Sequence, residues 1–294
     1  MHLTEQDILK RVRQIEIKTR GLSDDIFAGK YHSAFRGRGM SFAEVREYRI
    51  GDDVRDIDWN VTARSERTHV KVFEEERELT MMLIVDVSPS RMFGSKELTK
   101  KNVITEIAAT LAFSAAKNND KIGCILFSDR VEKFIPPKKG RAHVMMIIRE
   151  LVGFEPTGTS TNISEALRYL VGVNKKRATC FLLSDLINAE GDMTKLDDAL
   201  KIASSKHDIM AIKVYDERDG ELPNVGIVEV QDAETGRKEW LDTSSRSVRR
   251  FWRENFEERN AVMKSLMQQN RIDVAEVATG EDYVVELIKM FKQR

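Results

Sequence analysis

Apolar residues along this chain change their period in a regular way. LTMMLIVDV, KIGCILFS, ATCFLLSDL and IMAIKVYD are continuous apolar runs, as in strands covered on both faces. VEKFIP is shorter and is joined to KIGCILFS through Asp129-Arg130, a connection of hairpin length. Between these runs the spacing turns to steps of three and four. Ile104, Ile107, Ala108, Leu111 and Ala115 mark a helix of about 20 residues, and Ile163, Ala166, Leu167, Leu170 and Val171 mark another. Further helices are predicted over 142–153, over the stretch with Leu196, Leu200 and Ala203 behind the cap Asp192, and over 245–270. GIVEVQDAE and KEWLD read as a peripheral β pair, IDVAEVAT as a last strand and DYVVELIKMF as a last helix. Buried strands alternating with amphipathic helices predict an α/β domain over 79–294. Its sheet would be mostly parallel and flanked by helices on both faces.

Residues 1–78 read as an N-terminal extension, helical first and then irregular β. Ile8, Val12, Ile15, Thr19, Leu22 and Ile26 form one helical stripe. That stripe is expected to dock on its own domain through Ile8, Val12, Ile15, Leu22 and Ile26; the alternative is a helix offered to a partner or a second copy. AGKYHSAFRGRGMS, at 28–41, has no GxGxxG and no preceding strand, so a phosphate loop is not expected. FAEVREYRI, VRDIDWNVT and HVKVFEEERE read as short extended segments, the first two separated by the turn Gly51-Asp52-Asp53. Asp52, Asp53, Asp56 and Asp58 lack the ordered donors of a calcium loop. With Arg49, Arg55 and Arg64 interleaved, internal ion pairs are expected. Trp59 reads as a packing residue and Glu74-Glu75-Glu76 as a solvated strand edge.

Charge narrows the function classes. Lys+Arg and Asp+Glu are both 48, a net charge of zero, which excludes the global basic excess of a dedicated nucleic-acid binder; no nucleic-acid partner is expected. No segment approaches the roughly 20 apolar residues of a membrane span. MHLTEQDILKRVRQIEIKTR carries charges throughout, unlike a secretory leader. The expectation is no transmembrane segment and a cytoplasmic location. Cys124 and Cys180 sit inside apolar runs and read as buried, reduced thiols.

Ligands of open α/β sheets collect beyond the carboxyl ends of the strands. The first strand ends Asp86-Val87-Ser88-Pro89-Ser90, and alternation brings Asp86, Ser88 and Ser90 into one short loop. Gly158-Thr159-Ser160-Thr161-Asn162 precedes a helix, and the fourth strand ends Ser184-Asp185. Three loops offer only oxygen donors. That donor set suits Mg²⁺ (or Mn²⁺), and the lack of His and Cys argues against zinc. The plainer alternative is ordinary caps and turns, which also use Ser and Asp after strands. Three such elements in order, each on matching secondary structure, favour a metal site.

LIVDVSPS, GTSTNISEAL and LLSDL resemble the metal-ion-dependent adhesion site (MIDAS) of von Willebrand factor type A (vWA) domains, whose fold is Rossmann-like. The resemblance implies Asp86, Ser88 and Ser90 as first-loop ligands and Asp185 as the third-loop aspartate. It implies Thr161 as the second-loop threonine, directly before Asn162 and the EAL helix, with Thr159 the alternative register. The last coordination position would go to water or to a partner's carboxylate. Pro89 departs from the pattern but leaves both hydroxyls. The segment GRGMSFAEVREYRIGDDVRDIDWNVTARSERTHVKVFEEERELT is similar to the signature of the DUF58 family, and the similarity runs from about Gly29 to DVAEVATGEDYVVELIKMF. Proteins of that family carry a type A domain and are typically associated with MoxR-type AAA+ ATPases.

The resemblance therefore implies a metal-dependent protein-binding adaptor and not an enzyme. It would grip an acidic side chain of a protein partner and act with a MoxR-type ATPase in assembling or remodelling complexes. It also implies that the first strand lies between those carrying Cys124 and Cys180, too far for a disulfide. One alternative is a Mg²⁺-dependent phosphohydrolase using the strand-end Asp86; such enzymes want a second Asp two residues on, where Ser88 stands. The other is a scaffold with a structural or empty site. No HxxxH, GxSxG or GxxxxGK[ST] pattern occurs. The adaptor reading needs an open coordination position for a partner's Glu or Asp, so a lysine filling the pocket from within the chain would sink it.

Overall fold

The switch between continuous apolar runs and steps of three and four is borne out as alternating strands and helices in the computed structural model. It describes residues 10, 12–18, 41–65, 67–74, 79–94, 99–187, 193–231 and 237–293. Two compact units are formed, one of Phe35–Leu79 and one of the rest of the chain.

In the smaller unit, β1 (Ser41–Glu47) pairs antiparallel with β2 (His69–Glu74). The connecting VRDIDWNVT, expected to be extended, is instead a 3-10 turn at Val54–Asp56 and a helical turn at Trp59–Thr62. Two aspartates cause this. Asp53 accepts the Arg55 amide at 2.9 Å, and Asp58 accepts those of Asn60 and Val61 at 3.0 and 3.2 Å. Such local bonds satisfy the backbone without a ladder partner. Trp59 is 67% exposed, so it does not pack as expected. Two of the four acids, Asp52 and Asp58, are in ion pairs, and their cations differ from those expected. Arg46 grips Asp52 with two bonds of 2.8 and 2.7 Å, and Lys71 lies 3.8 Å from Asp58. The Arg46 guanidinium and the Arg49 amide hold the Asp52 carboxyl down to about 2. Residues 28–40, Glu75 and Glu76 lie outside the described residues.

The larger unit runs β3 (Thr80–Asp86), α1 (Lys100–Lys117), β4 (Lys121–Phe127), β5 (Val131–Lys138), α2 (Arg141–Gly153), α3 (Ile163–Val173), β6 (Thr179–Ser184), α4 (Met193–Lys206) and β7 (Asp208–Tyr215). The antiparallel pair β8 (Ile227–Gln231) and β9 (Lys238–Asp242) follows, then α5 (Arg246–Gln269), β10 (Asp273–Ala278) and α6 (Tyr283–Lys292). Its sheet order is β10-β7-β6-β3-β4-β5, parallel except for the β5 edge. This doubly wound order with one antiparallel edge strand is the α/β, vWA-like architecture that the motifs implied.

Alternation sorts the strand side chains onto two faces. Met82, Ile84, Phe127, Cys180 and Leu182 pack with Leu167, Leu170, Leu196 and Leu200 of α3 and α4 and with Met263 and Met267 of α5. The other face is covered by α1, α2 and α6, with Phe181 edge-on to Phe291 at 6.1 Å. β3 separates the cysteine strands as expected: Leu83 is in register with Cys124, and Met82 with Cys180. The two thiols therefore point to opposite faces. Both are free and buried, and burial pushes both well above the ordinary thiol range.

Within 12–18 the N-terminal helix docks in cis. Val12 is buried, and Ile15 lines a cavity with Thr105 and Val152. Lys18 pairs with Glu106 at 2.5 Å, and Glu16 pairs with Arg141. Ile8, Thr19, Leu22 and Ile26 lie outside the described residues. Among the described residues, no helix is long and apolar enough to cross a membrane.

His207, just past α4, is buried, and neither ring nitrogen is bonded among the described residues. Burial, with the Lys206 and Arg177 charges, pushes the imidazole below its usual range. A depressed histidine contributes stability that is complete above the unfolded value, near 6.5, and is lost as pH falls below it. His207→Leu is therefore expected to lose less stability than the parent between pH 7 and pH 5, measured by urea unfolding at both. Equal losses would show that His207 titrates freely.

Candidate functional site

β3 delivers Asp86 to the carboxyl edge of the sheet, where it is 2% exposed. Its Oδ1 accepts the Ser88 amide at 2.9 Å and its Oδ2 accepts the Ser184 hydroxyl at 2.6 Å. Pro89 opens a 3-10 turn over Pro89–Met92, and the Ser88 and Ser90 hydroxyls on either side share a 3.0 Å hydrogen bond. At the end of β6, Leu186 takes a left-handed conformation with φ of +59°. That conformation costs a Leu about 1–2 kcal/mol. Its amide donates to Ser184 Oγ at 3.0 Å, so Ser184 ties the turn that carries Asp185 to Asp86.

The second loop is clamped by Glu132 of β5. Its carboxylate accepts from Ser128 Oγ (2.7 Å), the Thr157 amide (3.0 Å), Thr157 Oγ1 (2.8 Å) and the Gly158 amide (2.7 Å). Burial opposes ionisation of Glu132, but these bonds outweigh it and hold the carboxyl below its usual range. Asn162 donates its amide to Ser128 O at 2.8 Å and caps α3 by accepting from Glu165 N at 3.0 Å. Thr161 is thereby buried, with no partner for its hydroxyl among the described residues, while Thr159 is exposed. Gly158 has no room for a side chain: a Cβ there would lie 2.1 Å from Ser128 Oγ and 2.2 Å from Asp129 Oδ1. Gly158→Ala is expected to cost about 1–3 kcal/mol by prising the loop from the hairpin. A urea midpoint unchanged from the parent would contradict that clash.

Asp86, Ser88, Ser90 and Asp185 are thus gathered at one edge. Thr161 stands there too, on a loop bonded to the end of β4, without a hydrogen bond to the other four. Burial, then the charge of Asp185, raises the Asp86 carboxyl to about 6 against the opposing bonds from Ser184 and Ser88. Buried Arg91 senses the Asp86 charge but donates to Phe154 O, at 2.8 Å.

A lysine does enter from within the chain. Lys100, 2% exposed at the start of α1, sits 3.3 Å from Asp185 Oδ2 and 2.8 Å from Oδ2 of Asp219, in the helical turn Glu217–Gly220. Burial opposes its charge, but the two carboxylates prevail and hold the ammonium above its usual range. Asp185 Oδ1 meanwhile accepts the Ile187 amide at 3.1 Å. Both Asp185 oxygens are therefore engaged, unlike those of the free ligand expected. Lys100 makes no ion pair with Asp86, so it neutralises the Asp185 end of the cluster and does not fill the hydroxyl end, where Asp86, Ser88 and Thr161 are buried. Among the described residues, no three His, Cys, Asp or Glu side chains are gathered as a metal site. Lys100, Asp219 and Glu132 carried no motif signal.

Residues 44–262 match the family described as "Protein of unknown function DUF58". The chain belongs to that family. An uncharacterized protein of Mycobacterium tuberculosis is 30% identical over 227 residues, 76% of this chain and 70% of the relative. Among solved structures, the conserved hypothetical protein BatB from Bacteroides thetaiotaomicron is similar, with a TM-score of 0.50 and 12% identity, over 73% of this chain and 98% of that one. So is an aerotolerance-related membrane protein from Bacteroides fragilis, with a TM-score of 0.51 and 16% identity, over 73% and 97%. These likenesses establish the fold of the DUF58 chain; its chemistry rests on its own side chains.

Proposed function

We propose that the chain is a protein-binding adaptor in which Asp86, Ser88, Ser90 and Thr161 hold Mg²⁺ or Mn²⁺. The observation that carries this reading is the buried Thr161 hydroxyl, without a partner among the described residues, on the same edge as a buried carboxylate flanked by two serine hydroxyls. Leaving a buried hydroxyl unsatisfied costs about 1–3 kcal/mol, and a hard cation would satisfy it. When bound, the ion supplies positive charge for Asp86 and an open position for a partner's Asp or Glu. Asp185, held by Lys100 and the Ile187 amide, orients the cluster more than it ligates. The family resemblance supports a MoxR-type AAA+ ATPase as co-worker in assembling or remodelling complexes.

Thr161→Val tests the reading. It removes the hydroxyl and keeps the volume. Calorimetric titration should show Mg²⁺ affinity falling about tenfold or more, while stability in EDTA stays level or rises because no hydrogen bond is lost. Unchanged affinity would remove Thr161 from the site. Pull-down from native lysate, read by mass spectrometry with and without EDTA, should show metal-dependent partners. Mg²⁺-dependent turnover of p-nitrophenyl phosphate, lost in Asp86→Asn, would favour the phosphohydrolase instead.

A further inference from the structure

A cavity of about 270 Å³ lies beside the ends of β6 and β7, bounded by Asp185 on the side of the hydroxyl loops. Leu186, Met193, Phe256 and Met263 give it apolar walls. Its polar lining includes Lys213, an interruption in the apolar run of β7 and only 6% exposed. The ammonium donates to Asn260 Oδ1 at 2.7 Å and lies 5.0 Å and 5.3 Å from the Tyr215 and Phe256 ring centres. An ammonium has three donors. Asn260 accepts one, and among the described residues no carboxylate forms an ion pair with Lys213. Glu276, in register on β10, and Asp219 and Asp185 act on it only at longer range.

The charge balance around the cavity decides the ligand. Asp185 and Asp219 line it, but Lys100 already pairs with both. Of the other charged groups on the wall, Lys213 and Arg259 are cations without an ion pair among the described residues, against the single exposed acid Glu258. A buried ammonium with unfilled donors is costly unless a ligand oxygen meets it. The volume lies just below the usual range for small-molecule sites, which suits a single ring-sized body.

We propose that this cavity binds a small monocarboxylic acid with an aromatic or branched apolar body, its carboxylate on Lys213 and Arg259 and its body among the methionines and Phe256. The proposal does not rest on the metal reading, although Asp185 borders both sites, and working in EDTA keeps the two apart. The test titrates 3-phenylpropionate into the full chain with ¹³C-labelled methionine methyls, following Met193 and Met263. Both resonances should shift saturably, and the acid should bind about tenfold or more tighter than neutral 3-phenylpropanamide. Lys213→Met should abolish that preference. Val262→Trp, at an exposed position on the wall, should block both probes without disturbing the fold. The proposal is overturned if acid and amide bind alike, if no saturable shift appears, or if Val262→Trp changes nothing. A peptide ending in a free Phe carboxylate that binds about tenfold tighter than the acid would assign the cavity to a chain terminus, and the small-acid proposal would be wrong.

Discussion

Lys100→Met should be among the most damaging single changes in the α/β unit. It keeps the length of the side chain and removes the cation between Asp185 and Asp219. Stripping one partner from a buried ion pair typically costs about 3–5 kcal/mol, because the remaining charge is left uncompensated. Here two carboxylates are left, of which Asp185 is almost fully buried. The loss should be read as a fall in urea midpoint in EDTA. A second readout separates structure from site. With Lys100 gone, Asp185 Oδ2 is released toward Asp86, so Mg²⁺ should bind more tightly than in the parent and recover part of the loss. Asp219→Asn, which leaves the Lys100–Asp185 pair, should cost less and should not raise metal affinity. A Lys100→Met protein within about 1 kcal/mol of the parent would show that the buried pair contributes little.

That lysine marks where sequence reasoning ends. The fold was legible because burial imposes a pattern: LTMMLIVDV and ATCFLLSDL had to be covered on both faces, and the short Asp129-Arg130 connection had to pair VEKFIP with KIGCILFS. The hydroxyl loops were legible because their position after strands is local. Lys100 and Asp185 are 85 residues apart, and nothing near either names the other. Glu132 reads as one polar residue on an edge strand, yet it clamps the loop that buries Thr161. The misreading of VRDIDWNVT has a local cause. Asp53 and Asp58 each accept amides two or three residues on, a turn signal that the apolar spacing hides. Lys213 was visible in IMAIKVYD as a charge inside an apolar run, but only the cavity beside it gives that charge a use.

Asp86→Asn should reverse the relation between metal and stability. The parent's carboxyl, raised to about 6 by burial and by Asp185, binds its proton more tightly in the fold than in the unfolded chain, where its value is near 3.8. The sign follows from linkage: this group stabilises the metal-free fold fully below about 4, and the contribution is lost as pH rises through about 6. At pH 7 without metal the buried charge is therefore a burden, worth at most about 3 kcal/mol. Asparagine is neutral at every pH and can keep its oxygen on the Ser88 amide. In EDTA at pH 7 the variant should be more stable than the parent, by about 1–3 kcal/mol, and at pH 4 the difference should vanish. Adding Mg²⁺ at pH 7 should raise the parent's urea midpoint and leave the variant's in place, since the ion's only free carboxylate is gone. A variant less stable than the parent at pH 7 in EDTA would mean that Asp86 is held as an anion by the protein alone. The cluster would then be a finished structural network with no place for an ion.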